Sequence, residues 1–300
     1  MDSSKGRILI VDDEPINLEI LEEHLNDEGY QPVAASSARE AMVILAQGVH
    51  EFDVILLDWM MPLMSGYELL CQLKSEPAYK SIPIIMQTAK SDKKDIEAGI
   101  AAGAYYYLTK PYSYQDLMPL VESAIKDHRA QQSALQLASL VPIDPQADQL
   151  SFTLRTLEEC QEVIAQILAW VPELPDIALG LNELIINAIE HGNLEISYAE
   201  KSRLNEEGRW LDEINSRLAN PQYKDRIVKV TCLKADGKLC VRIEDQGHGF
   251  DWEPYLEINP ERAFDSHGRG IAMAKMLSFE EVEYIGCGNQ VEVTCLLPAA

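Results

Sequence analysis

Apolar runs of strand length recur through the first 126 residues, and an amphipathic stretch follows each one. The runs are RILIV (7–11), QPVAA (31–35), DVILL (53–57), PIIMQ (83–87) and AYYYL (104–108). Between them apolar residues return at intervals of three and four, as Ile16, Ile20, Leu21 and Leu25 do, which is helical spacing. Strands alternating with helices predict an α/β domain built on a parallel sheet covered on both faces. Ligands of such sheets sit beyond the carboxyl ends of the strands.

The pattern changes after residue 126. DHRAQQSALQLASLVPIDPQAD (127–148) extends the last helix and then breaks at two prolines. His128 here reads as a solvated helical histidine, because the following residues are RAQ and not the acidic neighbour of a phosphoacceptor motif. An alternating strand, LSFTLRT (150–156), precedes two helical segments, 157–171 and 176–191. The highly charged stretch 197–223 reads as a helical hairpin standing off the core. RIVKVTCLK and KLCVRIE, joined by ADG, predict a β-hairpin, and EVEYIG and QVEVTCLL close the chain. This half is expected to be an α/β sandwich with an antiparallel or mixed sheet.

Length supports two domains, placed at 1–126 and 149–300 around a linker at 127–148. A hydrophobic share of 47% with 25% charged residues is that of a globular chain. The longest apolar runs are far short of a membrane span, and MDSSKGR lacks the apolar region of a signal peptide, so a cytoplasmic protein is expected. Six scattered cysteines without a C-x-x-C pair predict reduced, mostly buried thiols. A net charge of −24 argues against nucleic acid or an anionic membrane as partner.

The chemically loaded residues of the first half fall at strand ends: Asp12 and Asp13, Asp58, Thr88, and Lys110 before Pro111. Three carboxylates in one cleft would repel one another unless a cation joined them, and Mg²⁺ suits such a set. VDDEP, LLDWMMP, TA at 88–89 and LTKP resemble the response-regulator receiver domain, a flavodoxin-like (βα)5 fold, over residues 5–126. The resemblance implies that Asp58 accepts a phosphoryl group and that Asp12, Asp13 and Asp58 hold Mg²⁺ with the Met60 carbonyl. It also implies that Thr88 and Lys110 contact the phosphoryl oxygens, and that Tyr107 is a switch residue drawn inward with Thr88 on phosphorylation. A sensor histidine kinase or phosphotransfer protein would be the donor.

The second half holds three clusters. In ELIINAIEHGN (183–193), Glu183 and Asn187 share a helix face while Ile185, Ala188 and Ile189 face the other way. His191 reads as closing that helix, where a partly positive imidazole suits the dipole's negative end. The glycines of Asp245-Gln-Gly247-His-Gly249 permit a sharply turned loop. Gly268-Arg269-Gly270 opens a helix, a phosphate-compatible start. Together these resemble the GHKL ATPase superfamily over about 148–298, and its anti-sigma-factor serine kinase branch in particular. The resemblance implies that Asn187 ligands the Mg²⁺ of ATP and that Asp245 accepts a hydrogen bond from adenine. Gly247 and Gly249 would shape the adenine pocket, Gly268, Arg269 and Gly270 would hold phosphates, and Glu183 would be general base toward a protein serine. The expected partner is an anti-sigma-factor antagonist or sigma-factor-like protein, and the expected assembly a homodimer. Three functions compete: a phosphorylation-controlled serine/threonine kinase, an ATP-loaded module that sequesters its partner, and a hybrid histidine kinase, the last lacking room for its phosphoacceptor helices.

Overall fold

The computed structural model describes residues 5–48, 52–89, 93–256 and 270–298. They form two compact units divided after Arg129. In the first, strands β1 (Arg7–Val11), β2 (Gln31–Ala35), β3 (Val54–Asp58), β4 (Ile84–Thr88) and β5 (Tyr106–Thr109) lie in the order β2-β1-β3-β4-β5. Every pairing is parallel. Helices α1 (Pro15–Asp27), α2 (Ala38–Gly48), α3 (Gly66–Ser75) and α4 (Lys93–Ala101) fill the crossovers, and α5 (Tyr114–Ala138) follows β5. Because helices cover both faces, β3 and β4 are buried at every position, which is why they read as unbroken apolar runs. Both strands also reach one residue further than the apolar pattern suggests, so Asp58 and Thr88 are their last residues.

His128 lies on α5, half-buried, with Nδ1 3.1 Å from the Ser81 carbonyl oxygen. Burial lowers its pKa. The expectation of a solvated histidine is corrected: the ring is packed and tied to backbone.

The second unit pairs β6 (Gln149–Leu154), β7 (Val228–Ala235), β8 (Lys238–Glu244), β9 (Glu281–Ile285) and β10 (Gln290–Leu296) in the order β6-β7-β8-β10-β9. The sheet is antiparallel throughout. The chain crosses from β8 to β9 by way of α10 (Gly270–Leu277), but β10 slots between the two, so no parallel neighbours arise. Helices α6 (Leu157–Trp170) and α7 (Ile177–Asn187) bury Trp170, Ile167, Leu181 and Ile185 against Val230 and Val241 of the sheet. Thr156 and Glu159 start α6 with a reciprocal capping box. Ala134, near the end of α5, belongs to this core, and the Ala147 carbonyl accepts the Trp170 indole N–H at 3.0 Å. Among the described residues no helix is long and apolar enough to cross a membrane. The cysteines are unpaired, with 160, 232 and 295 buried and 287 exposed.

The charged stretch does form a helical pair, α8 (Tyr198–Glu206) and α9 (Trp210–Ala219). It does not stand off the core. Leu204 and Ile214 are 2% and 1% exposed within the core cluster, and Trp210 and Leu218 pack against it. Apolar burial at one residue per turn holds the pair down while its outer face stays charged.

Candidate functional site

The strand ends of the first unit gather most of the predicted residues. Asp12, 1% exposed, and Asp58, 7% exposed, both accept from the Lys110 ammonium, at 2.6 and 2.5 Å. Burial raises the Asp58 pKa, outweighing Lys110. Burial alone would lower the Lys110 pKa, but Asp12 and Asp58 together raise it. The Met60 N–H donates to Asp58 at 2.8 Å. Thr88 is buried, and its carbonyl accepts the Lys110 N–H at 2.7 Å. Asp13 is half-buried beside them. Of the three carboxylates, Asp12 and Asp58 converge on Lys110, and Asp13 follows Asp12 in the chain. No three His, Cys, Asp or Glu side chains among the described residues group as a metal cage, and Lys110 bridges the two central acids.

Tyr107 is 2% exposed. Its hydroxyl end occupies space left by Gly99, where a Cβ would lie 1.3 Å from Oη, and its ring sits 6.0 Å from Trp59. The Tyr107 ring is therefore turned inward in this conformation.

Three residues here escape the sequence reading. Asn17 donates to both oxygens of Asp12, at 3.2 and 3.1 Å, and to Glu14 at 3.0 Å. The Tyr112 hydroxyl donates to Gln87 Oε1 at 2.6 Å. Burial, then the charges of Asp12 and Asp58, hold that hydroxyl protonated, well above the ordinary phenol range. A polar Gln87 in the otherwise apolar PIIMQ is the signal that was available.

In the second unit α7 does not end as an α-helix. It widens into a π-helical turn, Ala188–Asn193, closed by the Leu194 N–H to the Ile189 carbonyl at 2.9 Å. Such turns often mark functional sites. The wider winding carries Gly192 and Asn193 to the loop after β8. Gly192 lies so close to Asp245 that a Cβ would meet Cγ at 2.3 Å. Asn193 Oδ1 accepts the Gln246 N–H at 2.8 Å, while its Nδ2 is buried without a hydrogen-bond partner among the described residues. Asp245 accepts the Gly247 N–H at 2.8 Å, and burial pushes its pKa up to about 6. Gly249 holds φ +76° beneath the Cys287 carbonyl.

Glu183 and Asn187 are half-buried on one side of α7, opposite the buried Ile185, Ala188 and Ile189. Glu183 meets the start of α10, for a Cβ on Gly270 would stand 1.9 Å from its Oε2. Gly268 and Arg269 lie outside the described residues. His191 is not a charged cap: burial lowers its pKa and Nδ1 lies 2.5 Å from the Ile196 carbonyl oxygen, so the neutral ring donates there. Glu190, fully buried, pairs with Lys201 of α8 at 2.6 Å. Arg217 of α9 caps the Leu194 carbonyl at 2.8 Å and Arg226 caps that of Asn193 at 2.8 Å. The charged hairpin thus supports the π turn.

The family described as response regulator receiver domain matches residues 8–122. The family described as histidine kinase-like ATPase domain matches residues 146–295. The chain is 34% identical over 130 residues to a protein of Pyropia yezoensis described as "Probable transcriptional regulator ycf29", covering 43% of this chain and 58% of that protein. It is 41% identical over 127 residues to a Vibrio cholerae protein described as "Probable cyclic di-GMP phosphodiesterase", covering 42% and 27%. It is 37% identical over 119 residues to the phosphate regulon transcriptional regulatory protein PhoB of Pseudomonas aeruginosa, covering 40% and 51%. The chain therefore spans less than two thirds of each relative. Among solved structures, the receiver domain of a Pseudomonas aeruginosa sensor histidine kinase, with magnesium coordinated in its active-site cleft, is 27% identical. It covers 40% of this chain and 98% of that one, with a TM-score of 0.37.

Proposed function

Because the chain belongs to the histidine kinase-like ATPase family through residues 146–295 and carries a response regulator receiver domain at 8–122, we propose that it is a response regulator whose output is an ATP-dependent protein serine/threonine kinase. Asp58 takes a phosphoryl group from a sensor histidine kinase or phosphotransfer protein, and that event controls transfer from ATP to a regulatory protein of the anti-sigma-antagonist kind.

In the receiver, two carboxylates share one ammonium with Asp13 beside them, and that net negative donor set suits a hard divalent cation. Asp12, Asp13, Asp58 and the Met60 carbonyl would hold Mg²⁺, which when bound would offset the charge of the incoming phosphoryl group. Thr88 and Lys110 would contact its oxygens. In the ATPase domain, Asn187 would ligand the nucleotide's Mg²⁺. The partly desolvated Asp245, with Gly192, Gly247 and Gly249 around it, supports the adenine seat, while Gly268, Arg269 and Gly270 would hold phosphates.

The observation that carries the kinase reading is the Glu183 carboxylate against Gly270. A carboxylate at the start of a phosphate-type helix supports a role as base toward a hydroxyl. The test is incubation of the protein with labelled ATP, Mg²⁺ and antagonist proteins from the same genome, with Asp58 phosphorylated or not. Transfer is expected for the parent and not for Glu183→Ala or Asn187→Ala, with ATP binding kept in the former and lost in the latter. Tight ATP binding with no label on any partner would sink the kinase reading.

A further inference from the structure

Gln87 is 0% exposed, and its Nε2 is buried without a hydrogen-bond partner among the described residues, while its Oε1 accepts from Tyr112. Gln87 pairs in register with Asp58 across the parallel β3–β4 ladder. Register partners on neighbouring parallel strands stand about 4.8 Å apart and send their side chains to the same face. That face is the one on which Leu56, Ile85 and Leu108 pack toward α1 and α5. The backbone pins the pair further, since the Trp59 N–H donates to the Gln87 carbonyl at 2.8 Å.

A buried amide N–H with nothing to bond is costly, and the cost disappears when an acceptor arrives. The acceptor this neighbourhood gains is the phosphorylated carboxylate. In the transfer an Asp58 oxygen attacks phosphorus and an O–P bond forms. The P–N bond of a phosphoimidazole or phosphoramidate donor breaks, and the nitrogen keeps the bonding pair and leaves protonated. The singly charged Asp58 becomes an acyl phosphate with an additional negative charge. We propose that Gln87 Nε2 donates to phosphorylated Asp58, and that Tyr112 is a positioning residue that turns the amide so its N–H, and not its oxygen, meets that charge. This rests on Asp58 being the phosphoacceptor.

The test uses the full chain with phosphoramidate and Mg²⁺, following phosphorylation by mobility shift in phosphate-affinity gels. Asp58→Asn is the silent control. Gln87→Leu, close in volume and without donors, is expected to slow phosphorylation about ten-fold, and Tyr112→Phe by a smaller factor. Beryllium fluoride, standing in for the phosphoryl group, should bind more weakly to Gln87→Leu. It should also move the Gln87 side-chain NH₂ resonances of the parent, identified by their loss in the variant. Purely structural damage would alter thermal stability without moving those resonances. A parent that is not phosphorylated would take down both the Asp58 reading and this one. Phosphorylation of the parent with unchanged rates in Gln87→Leu, or NH₂ resonances indifferent to beryllium fluoride, would overturn this proposal alone.

Discussion

Gly270 Cα and the Glu183 carboxylate are so close that a single added methyl would stand 1.9 Å from Oε2. The clashing atom is the tip of a flexible side chain, so it can move. Gly270→Ala is expected to leave the melting temperature nearly unchanged while lowering phosphotransfer about ten-fold, equivalent to about 1.4 kcal/mol of barrier. Calorimetry beside a labelled-ATP assay checks it, and equal loss in both measurements would mean the contact is only structural.

Gly249 should behave oppositely. Its φ of +76° and a Cβ position 2.0 Å from the Cys287 backbone carbonyl leave nothing that can yield cheaply. Gly249→Ala is expected to destabilise the ATPase domain by at least about 1–2 kcal/mol, visible as a lower urea midpoint of that domain's transition.

Asp245, pushed up to about 6 by burial, gives a pH signature. The ordinary carboxylate value is lower, so burial disfavours its charged form, and domain stability falls as pH rises from the ordinary range through about 6. In the proposed adenine seat, the amino group would favour the ionised form. ATP affinity should therefore weaken as pH falls through 6, with proton release on binding at that pH. Titration calorimetry in two buffers of different ionisation enthalpy measures both. Asp245→Asn should lose the pH dependence.

His191 carries the reverse sign. Burial depresses its folded pKa, so the unfolded chain takes up the proton first. The stability it contributes is complete above the unfolded value, about 6.5, and declines as pH falls below it. Urea unfolding at pH 7.5 and 5.5 should show the loss, reduced in His191→Gln.

The Glu190–Lys201 pair has one partner fully buried and the other largely so. Lys201→Met strands the carboxylate and is expected to cost about 3–5 kcal/mol, far more than removing Arg203 from its exposed pair with Glu207. Lys201→Met combined with Glu190→Met should recover most of the loss in chemical unfolding.

Much of the framework was legible because its causes are local. The five apolar runs mark five strands because two-sided burial leaves no room for alternation, and Asp12, Asp58, Thr88 and Lys110 announce themselves as polar residues at the ends of such runs. Glu183 and Gly270, 87 residues apart in sequence, were assigned to one site by family resemblance, and the fold places them in contact. What failed depended on tertiary context. The charge density of 197–223 hides the apolar side chains that hold it to the core. The neutral state of His191 follows from burial in the folded chain.

A turn wound through five-residue hydrogen bonds accommodates one residue more than an α-helical turn. Removing one residue from Ala188–Asn193 would let the helix relax to ordinary winding with what lies beyond kept in roughly the same angular position, whereas adding a further residue would swing everything beyond it by about 100° about the axis. Gly192 would then leave Asp245, and Asn193 would leave Gln246. This segment therefore tolerates substitutions of suitable size but no added residue, whereas the surface turn at Asp236 and Gly237, both already at positive φ, can lengthen without disturbing the Asp245 loop.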